Sequence, residues 1–240
     1  MCGRFTRDFT WQQVREFSHM LDLVVPAEDP APAWNIAPTD PGPVIVAHGD
    51  GGLVREMRWG LLPPFAKDTK LVYSTINARL ESVAEKPAFR GAWKKRRALI
   101  PATGYYEWPV IDGRKRPHWI HLADSPVMMF GGVWESRPDG MGGELLTYSV
   151  VTRAADPVIA PVHDRMPLIL PPELLHDFLH GDADDAMAIA HAAPEPALAY
   201  HEVDTAVGNV RNQGRHLIDA IPVTSSPVTS APCAPDDLFP

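Results

Sequence analysis

The first chemically unusual residue of the sequence is Cys2, which directly follows the initiator methionine in MCGRF. If Met1 is removed, Cys2 carries a free α-amine beside its thiol. The ordinary pKa of such an amine is about 7.7–8.0 and that of a thiol about 8.5, so both groups are partly nucleophilic near neutral pH. An aldehyde can form an imine with the nitrogen, after which the sulfur closes a five-membered thiazolidine ring. The alternative is a small buried hydrophobic residue at an arbitrary position.

Three further polar residues could take part in such chemistry. Glu107 lies in TGYYEWP, where burial among aromatic residues would raise the pKa of its carboxyl group and suit it to proton transfer. His163 lies on a constrained loop between two prolines in APVHDRMP, and imidazole titrates near neutral pH. Asn77 follows a strand-like run in STINARLES. The ordinary alternatives are an outward-facing strand residue for Glu107, a histidine without special role for His163, and a turn or cap for Asn77.

Two stretches could contact nucleic acid. The segment KPAFRGAWKKRR, residues 86–97, is basic and contains no acidic residue, although the whole chain has a formal net charge of −8. A local basic surface can bind phosphate even in an acidic protein, but the segment could equally be a solvated helix face. The segment RWGLLPPF, residues 58–65, places Trp59, Leu61 and Phe65 on a proline-stiffened loop. These side chains could wedge between bases, or they could belong to the core.

The pattern of apolar residues predicts the elements that position these groups. Short β-like runs separated by turn signals favour an α+β fold, with a curled, barrel-like, mainly antiparallel sheet decorated by helices. The helices are predicted over residues 10–21, with Thr10 as N-cap, and over residues 171–181, ending at Gly181. The β-like runs are residues 43–48, 53–59, 97–101, 105–110, 118–122, 127–134 and 145–151.

The composition is that of an ordinary globular protein. We expect one domain over residues 1–221 and a flexible Pro/Ser/Ala-rich tail over residues 222–240, which contains Cys233. Two cysteines cannot make a disulfide framework, and no Cys/His spacing indicates zinc. No run is long and apolar enough for a membrane span, and no signal peptide is evident. We therefore expect a monomeric, cytoplasmic protein that uses no metal and no organic cofactor.

Seven blocks of the chain, taken in order, resemble the SRAP (SOS response-associated peptidase) family. They are MCGRF, WNIAPT (34–39), RWGLLP (58–63), INARLES (76–82), RRALIPATGYYEW (96–108), FGGVWE (130–135) and VHDRMPLIL (162–170). The resemblance implies a single SRAP-like domain that senses abasic sites in single-stranded DNA. It implies an enzyme that forms a covalent thiazolidine crosslink and so shields the lesion during the DNA damage response. The peptidase name is interpreted as removal of the protein's own first residue.

The resemblance also implies roles for individual residues. Cys2 would bond to the ring-opened sugar aldehyde, Asn77 would orient the sugar and the amine, and Glu107 would move protons during imine formation. His163 would assist opening of the sugar ring. The residues implied in DNA binding are the phosphate ligands Arg4, Arg79 and Arg165, the base-separating residues Trp59 and Leu61, and Asn35.

Two other functions remain open at the level of the sequence. Class II glutamine amidotransferases also begin Met-Cys-Gly and use the exposed cysteine as a nucleophile, but their asparagine–glycine and glycine–aspartate motifs are not found in the expected contexts. A passive single-stranded DNA-binding module, in which Cys2 merely packs, would need only the basic segment and the Trp59 loop. Binding without a covalent bond would identify that module.

Overall fold

A computed structural model describes residues 2–66 and 75–221 of the chain. Met1 and the predicted tail over residues 222–240, with Cys233, lie outside the described residues. Within the described part, the strands are β1 (Phe5–Arg7), β2 (Leu23–Val24), β3 (Ala33–Ile36), β4 (Pro41–His48), β5 (Gly51–Trp59), β6 (Asn77–Arg79), β7 (Arg97–Ala102), β8 (Gly104–Glu107), β9 (Val110–Ile111), β10 (Arg114–Lys115), β11 (His118–Leu122), β12 (Met128–Pro138), β13 (Glu144–Ala154), β14 (Arg165–Pro167) and β15 (Leu198–Glu202).

Five of these strands close into a barrel. The antiparallel order β13-β12-β7-β4-β5 is completed by a parallel pairing of β5 with β13, in which Trp59 lies opposite Tyr148. Closure pairs the edges of the sheet, so the backbone groups of its central strands are satisfied within the ring. The short strands β14, β6 and β2 extend this sheet, and β6 runs parallel to β13. The prediction of a curled, barrel-like, mainly antiparallel sheet is confirmed.

A second sheet holds the amino-terminal segment. Its strand order is β15-β11-β8-β1-β3, and all of its pairings are antiparallel. Phe5 of β1 lies opposite Tyr105 of β8, and the backbone N–H of Tyr106 donates to the carbonyl of Arg4 at 3.0 Å. Since β1 begins three residues after Cys2, this pairing fixes the chain start beside the end of β8.

Short helices cover the barrel. They are α1 (Trp11–Phe17), α2 (Leu80–Val83), α3 (Arg90–Lys95), α4 (Leu175–His180) and α5 (Ala183–Ala192). α1 begins with a capping box between Thr10 and Gln13 and ends sooner than predicted, at Ser18, whose hydroxyl bonds the Val14 carbonyl. The predicted late helix is a 3₁₀ turn, Pro172–Leu174, followed by α4, and it ends at Gly181 as expected.

Two apolar cores lie on opposite faces of the barrel strands, because side chains alternate along each strand. The helix-side core contains Ile45, Leu99 and Met129 together with Trp93 of α3 and Phe178 of α4. The sheet-side core contains the alternate residues of the same strands, such as Val44, Ile100, Phe130 and Tyr148, and it packs against the second sheet through Phe5 and Tyr105. Cys2 belongs to the sheet-side core.

The basic segment over residues 86–97 is largely structural at its carboxyl end. Arg97 is buried, and its guanidinium donates to the carbonyls of Trp93, at 2.8 Å, and Phe178, at 2.6 Å, and to the carbonyl of Gly181. Arg96 pairs with Glu135 at 2.5 Å. Only the four bases that precede them, Lys86, Arg90, Lys94 and Lys95, remain exposed.

Candidate active site around the amino-terminal cysteine

Cys2 is fully buried immediately before β1. Its backbone carbonyl accepts a hydrogen bond from Nδ2 of Asn77 at 2.8 Å, and its Sγ lies 3.8 Å from the carbonyl oxygen of Arg4. Burial, with a smaller contribution from the negative charge of Glu107, raises the pKa of the Cys2 thiol well above its ordinary value. The resting thiol is therefore protonated and needs a proton acceptor before it can act as a nucleophile.

Asn77 reaches Cys2 because β6 runs parallel to β13, with Asn77 opposite Val150. Val150 belongs to the sheet-side core, and Ala78, the next residue of β6, belongs to the helix-side core. Asn77 therefore faces Cys2. Its side chain is almost buried, and Oδ1 has no hydrogen-bond partner among the described residues. This oxygen can accept a hydrogen bond from an amine or a sugar hydroxyl that enters the site.

Glu107 and His163 form the second pair of the site. Glu107 ends β8 at 3% exposure, and its Oε2 lies 4.0 Å from Nε2 of His163. Burial raises the pKa of the Glu107 carboxyl, while the charge of His163 acts in the opposite direction. A carboxyl group with a raised pKa holds its proton more readily than an ordinary carboxylate does, which suits it to acid–base chemistry.

The loop between β13 and β14 fixes the orientation of His163. Its Nδ1 accepts a hydrogen bond from the backbone N–H of Arg165 at 2.9 Å, and the same Nδ1 lies 2.9 Å from Oδ1 of Asp164. A single nitrogen cannot accept from one group and donate to the other at once. If Nδ1 accepts from the backbone N–H, the proton of the neutral ring lies on Nε2 and faces Glu107; a proton on Nδ1 would instead be donated to Asp164.

A cavity of about 480 Å³ opens beside the residue that follows Cys2 and the residue that precedes Asn77. It is lined by Gly3, Arg4, Ala37, Pro38, Thr39, Asp40, Ile76 and Val210, so it borders the neighbours of both Cys2 and Asn77. Its floor includes a turn in which the Asp40 N–H donates to the Ala37 carbonyl at 3.0 Å and Thr39 adopts a φ of 83°. This is the glycine position of a type II turn, and a β-branched residue there is strained.

The three arginines implied in phosphate binding differ in their surroundings. Arg79 is exposed on β6, two residues after Asn77, and therefore on the same face of that strand. Arg4 is half-buried and lines the cavity. Arg165 forms a bidentate pair with Glu81 at 2.6 and 2.9 Å and also donates to the Thr152 carbonyl at 2.6 Å. A phosphate would have to compete with Glu81 for Arg165.

Three residues implied in DNA contact have buried side chains, which the structure does not present to a strand. Trp59 and Leu61 are 0% exposed, and the Trp59 indole donates to the Ile76 carbonyl at 2.9 Å. Asn35 is also 0% exposed. Its side-chain oxygen accepts a hydrogen bond from Arg4, and its side-chain nitrogen donates one to the Val207 carbonyl. In the segment RWGLLPPF the apolar side chains of Trp59 and Leu61 therefore pack in the protein interior. In the same segment Phe65 is 65% exposed and keeps its ring available.

Metal ligation and membrane crossing find no support in the described residues. No group of three or more His, Cys, Asp or Glu side chains within residues 2–66 and 75–221 could hold a metal ion. No helix in the same part of the chain has the length and apolar character that a membrane crossing requires.

The fold that positions Cys2, Asn77, Glu107 and His163 is that of a known family. Residues 1–210 match the family model described as SOS response associated peptidase (SRAP), and the chain belongs to this family. This confirms the family predicted from the seven sequence blocks. Membership also removes the support for the glutamine amidotransferase alternative.

Several curated relatives carry the name abasic site processing protein. The chain is 32% identical to YoqW of Bacillus subtilis over 92% of this chain and 100% of that one, and 29% identical to YedK of Escherichia coli over the same shares. It is 28% identical to HMCES of Gallus gallus, over 75% of this chain and 64% of that one. A solved protein from Bordetella bronchiseptica has a TM-score of 0.71 at 25% identity, covering 85% of this chain and 100% of its own.

Proposed function

We propose that this protein processes abasic sites in single-stranded DNA by bonding covalently to the sugar aldehyde through Cys2, after loss of Met1. The observation that carries the proposal is the buried contact of Cys2 with Asn77, beside the Glu107–His163 pair at 4.0 Å. The site thus combines an amino-terminal thiol with an amide that can orient the reactants and two groups that can move protons. The names of the relatives supply the class of substrate.

The bond changes can be assigned to these residues. The abasic sugar opens from its ring form when a proton moves from its hydroxyl to the ring oxygen, a transfer that His163 and Glu107 can assist. The Cys2 amine then attacks the aldehyde carbon, and the resulting carbinolamine loses water to give an imine, with Glu107 protonating the departing hydroxyl. Finally the thiol adds to the imine carbon and its proton moves to the nitrogen, which gives the thiazolidine.

The surroundings of the cavity support a bound single strand. Arg79 and Arg4 offer guanidinium groups to phosphate, and Arg165 does so if the strand displaces Glu81. We assign base stacking to Phe65 in place of Trp59 and Leu61, because an exposed ring can stack on a base and a buried one cannot. No metal or organic cofactor is needed for any of these steps.

The decisive experiment is intact-mass measurement of the purified protein, alone and after incubation with a single-stranded oligonucleotide that carries one abasic site. We expect the mature protein to lack Met1 and to gain the mass of the oligonucleotide minus one water molecule. Cys2→Ala keeps a terminal amine but cannot close the ring, so its product should be a borohydride-dependent imine or no adduct. An adduct of undiminished yield and stability in Cys2→Ala would contradict the proposal.

The passive DNA-binding module remains the second candidate, because the Cys2 side chain is fully buried. The same measurement separates the two functions. A passive module would retard the abasic strand in a native gel, yet its mass would be unchanged after denaturation. A mature chain that retains Met1 would also favour the passive module, since the amine would then belong to another residue.

A further inference from the structure

The buried side chain of Asn35 joins two segments that are far apart in the sequence. Its Oδ1 accepts a hydrogen bond from Nη1 of Arg4 at 2.6 Å. Its Nδ2 lies 3.1 Å from the Val207 carbonyl, 3.0 Å from the Asn209 carbonyl and 3.1 Å from the Asn212 carbonyl. The segment over residues 207–212 therefore wraps around this one amide, which sits at the centre of the turn.

Arg4 is held by the same arrangement. Nη1 has two protons, which are taken by Asn35 Oδ1 and by the Val207 carbonyl at 3.0 Å. The Trp108 ring lies 5.9 Å from the guanidinium carbon. On the opposite edge of the guanidinium, which carries Nε and Nη2, Nη2 makes a long hydrogen bond of 3.4 Å to the Gly208 carbonyl. This edge is the one that can give its donors to a phosphate oxygen.

We infer that Asn35 is a positioning residue that acts on DNA through Arg4. It does not touch the strand, since its side chain is fully buried. By holding Nη1, it fixes the guanidinium at the wall of the cavity and leaves the Nε–Nη2 edge for phosphate. The bound strand then does not have to immobilise a flexible arginine, and binding is correspondingly tighter. The same amide holds residues 207–212, and Val210 of this segment, 48% exposed, lines the same cavity.

This inference rests on the proposed function, because it requires that the protein bind single-stranded DNA. The test is a double-mutant cycle on the affinity for a lesion-free single strand, which does not depend on the chemistry of Cys2. Asn35→Ala should weaken binding about 3- to 10-fold when Arg4 is present, which is the gain expected from pre-ordering one long side chain. In an Arg4→Ala background the same change should lose most of this effect and keep only the small part that comes from the tether to residues 207–212.

Gln213→Ala is the matched control. Gln213 Oε1 accepts from the Trp34 N–H at 3.0 Å and its Nε2 donates to the Asn35 carbonyl at 3.4 Å, so it tethers the same two segments without touching Arg4. Its effect on affinity should be small and equal in both backgrounds. Circular dichroism checks that each variant is folded. Asn35→Leu, of similar volume, repeats the cycle without a cavity should Asn35→Ala fail to fold.

The outcomes separate the inference from the function on which it rests. Losses from Asn35→Ala and Arg4→Ala that add in the double variant would overturn the positioning role, as would an Asn35→Ala protein of unchanged affinity. A wild-type protein that binds no single strand would overturn the proposed function itself. The inference is supported if the effect of Asn35→Ala on affinity depends on the presence of Arg4 while the effect of Gln213→Ala does not.

Discussion

The helix-side and sheet-side cores are made from alternate residues of the same barrel strands, yet their buried polar groups have different surroundings. In the helix-side core the guanidinium of Arg97 donates hydrogen bonds to backbone carbonyl oxygens of α3 and α4. In the sheet-side core the hydroxyls of Tyr105 and Tyr148 and Oδ1 of Asn77 have no hydrogen-bond partner in the described part of the chain. Unsatisfied buried polar atoms cost stability, and they are typical of sites that await water or a ligand. The helix-side face also has such an atom, the Ser149 hydroxyl, but the three on the sheet side lie beside Cys2, and the comparison therefore places the groups available for chemistry on that side.

The largest expected effect comes from Glu107→Gln. The amide keeps the shape of the side chain but cannot transfer protons, so formation of the adduct should slow by about 10²- to 10⁴-fold. Affinity for intact single-stranded DNA should stay within a few-fold. Quenched time courses on denaturing gels measure the rate, and fluorescence anisotropy measures the affinity. A collapse of affinity with a normal rate per bound complex would make Glu107 structural.

The same variant should make the protein more stable above the ordinary pKa of a glutamate. Because burial raises the pKa of the Glu107 carboxyl, the folded state favours the protonated form. The wild type therefore loses stability as pH rises from the unfolded pKa to the raised folded pKa, and the variant, whose amide does not ionise, is spared this loss. We expect a gain at pH 7 and almost none at pH 4. An equal gain in stability at both pH values would show that the gain does not come from the ionisation of Glu107.

The matching test of the helix-side core is Phe178→Ala. Phe178 is fully buried with its ring 5.9 Å from that of Trp93, so its truncation should cost about 3–5 kcal/mol of unfolding free energy. The rate of adduct formation per folded molecule should be unchanged. Urea unfolding followed by tryptophan fluorescence gives the free energy. A slower reaction in the folded variant would show that the two cores are coupled.

Arg79→Ala should have a smaller effect, confined to DNA binding. Arg79 is exposed beside Asn77, so its loss should weaken affinity and reduce the slope of log affinity against log salt by about 1. Lys94→Ala is the control, since Lys94 is an exposed base on α3, which packs on the helix-side core. Equal changes in slope for the two variants would indicate a diffuse electrostatic surface instead of a defined phosphate contact.

The smallest effect is expected for Thr39→Gly. Relief of the φ of 83° at Thr39 should outweigh the entropy cost of glycine and leave the protein more stable by about 1 kcal/mol or less. The turn lines the cavity, so a concurrent loss of affinity for single-stranded DNA would indicate that its strained shape serves the strand. Thermal unfolding and anisotropy of the same preparation distinguish these results.

Much of the fold could be predicted from local patterns. The β-like runs at residues 43–48, 118–122 and 145–151 are all strands, and the Thr10 cap does begin a helix. The run over residues 105–110 ends at Glu107, because Pro109 has no N–H to contribute to a ladder. α5 was not predicted, although Asp182 accepts from the N–H groups of Asp184 and Asp185 and is a good N-cap signal. Its alanine-rich sequence has no clear division into an apolar and a polar face, so the periodicity does not indicate a helix.

Less of the site could be predicted. Residue types indicated chemistry at Cys2, Asn77, Glu107 and His163, and the structure brings these four together. Exposure could not be read from type, and Trp59 and Phe65 illustrate this point. Both are aromatic residues of the segment over residues 58–65, but only Phe65, which follows the end of β5, is exposed. Burial depends on which strands pair across the barrel, and that information is not present within eight consecutive residues.

The sequence by itself determined the reactive groups, the position of a thiol next to the chain start, and the alternation that builds the barrel strands. The tertiary structure alone decided that Asn77 meets Cys2, 75 residues away, and that Asn35 hydrogen-bonds Arg4 and residues 207–212. The reason is physical. Covalent chemistry resides in single side chains, whereas burial, pKa and hydrogen-bond partners are set by segments that pack together from distant parts of the chain.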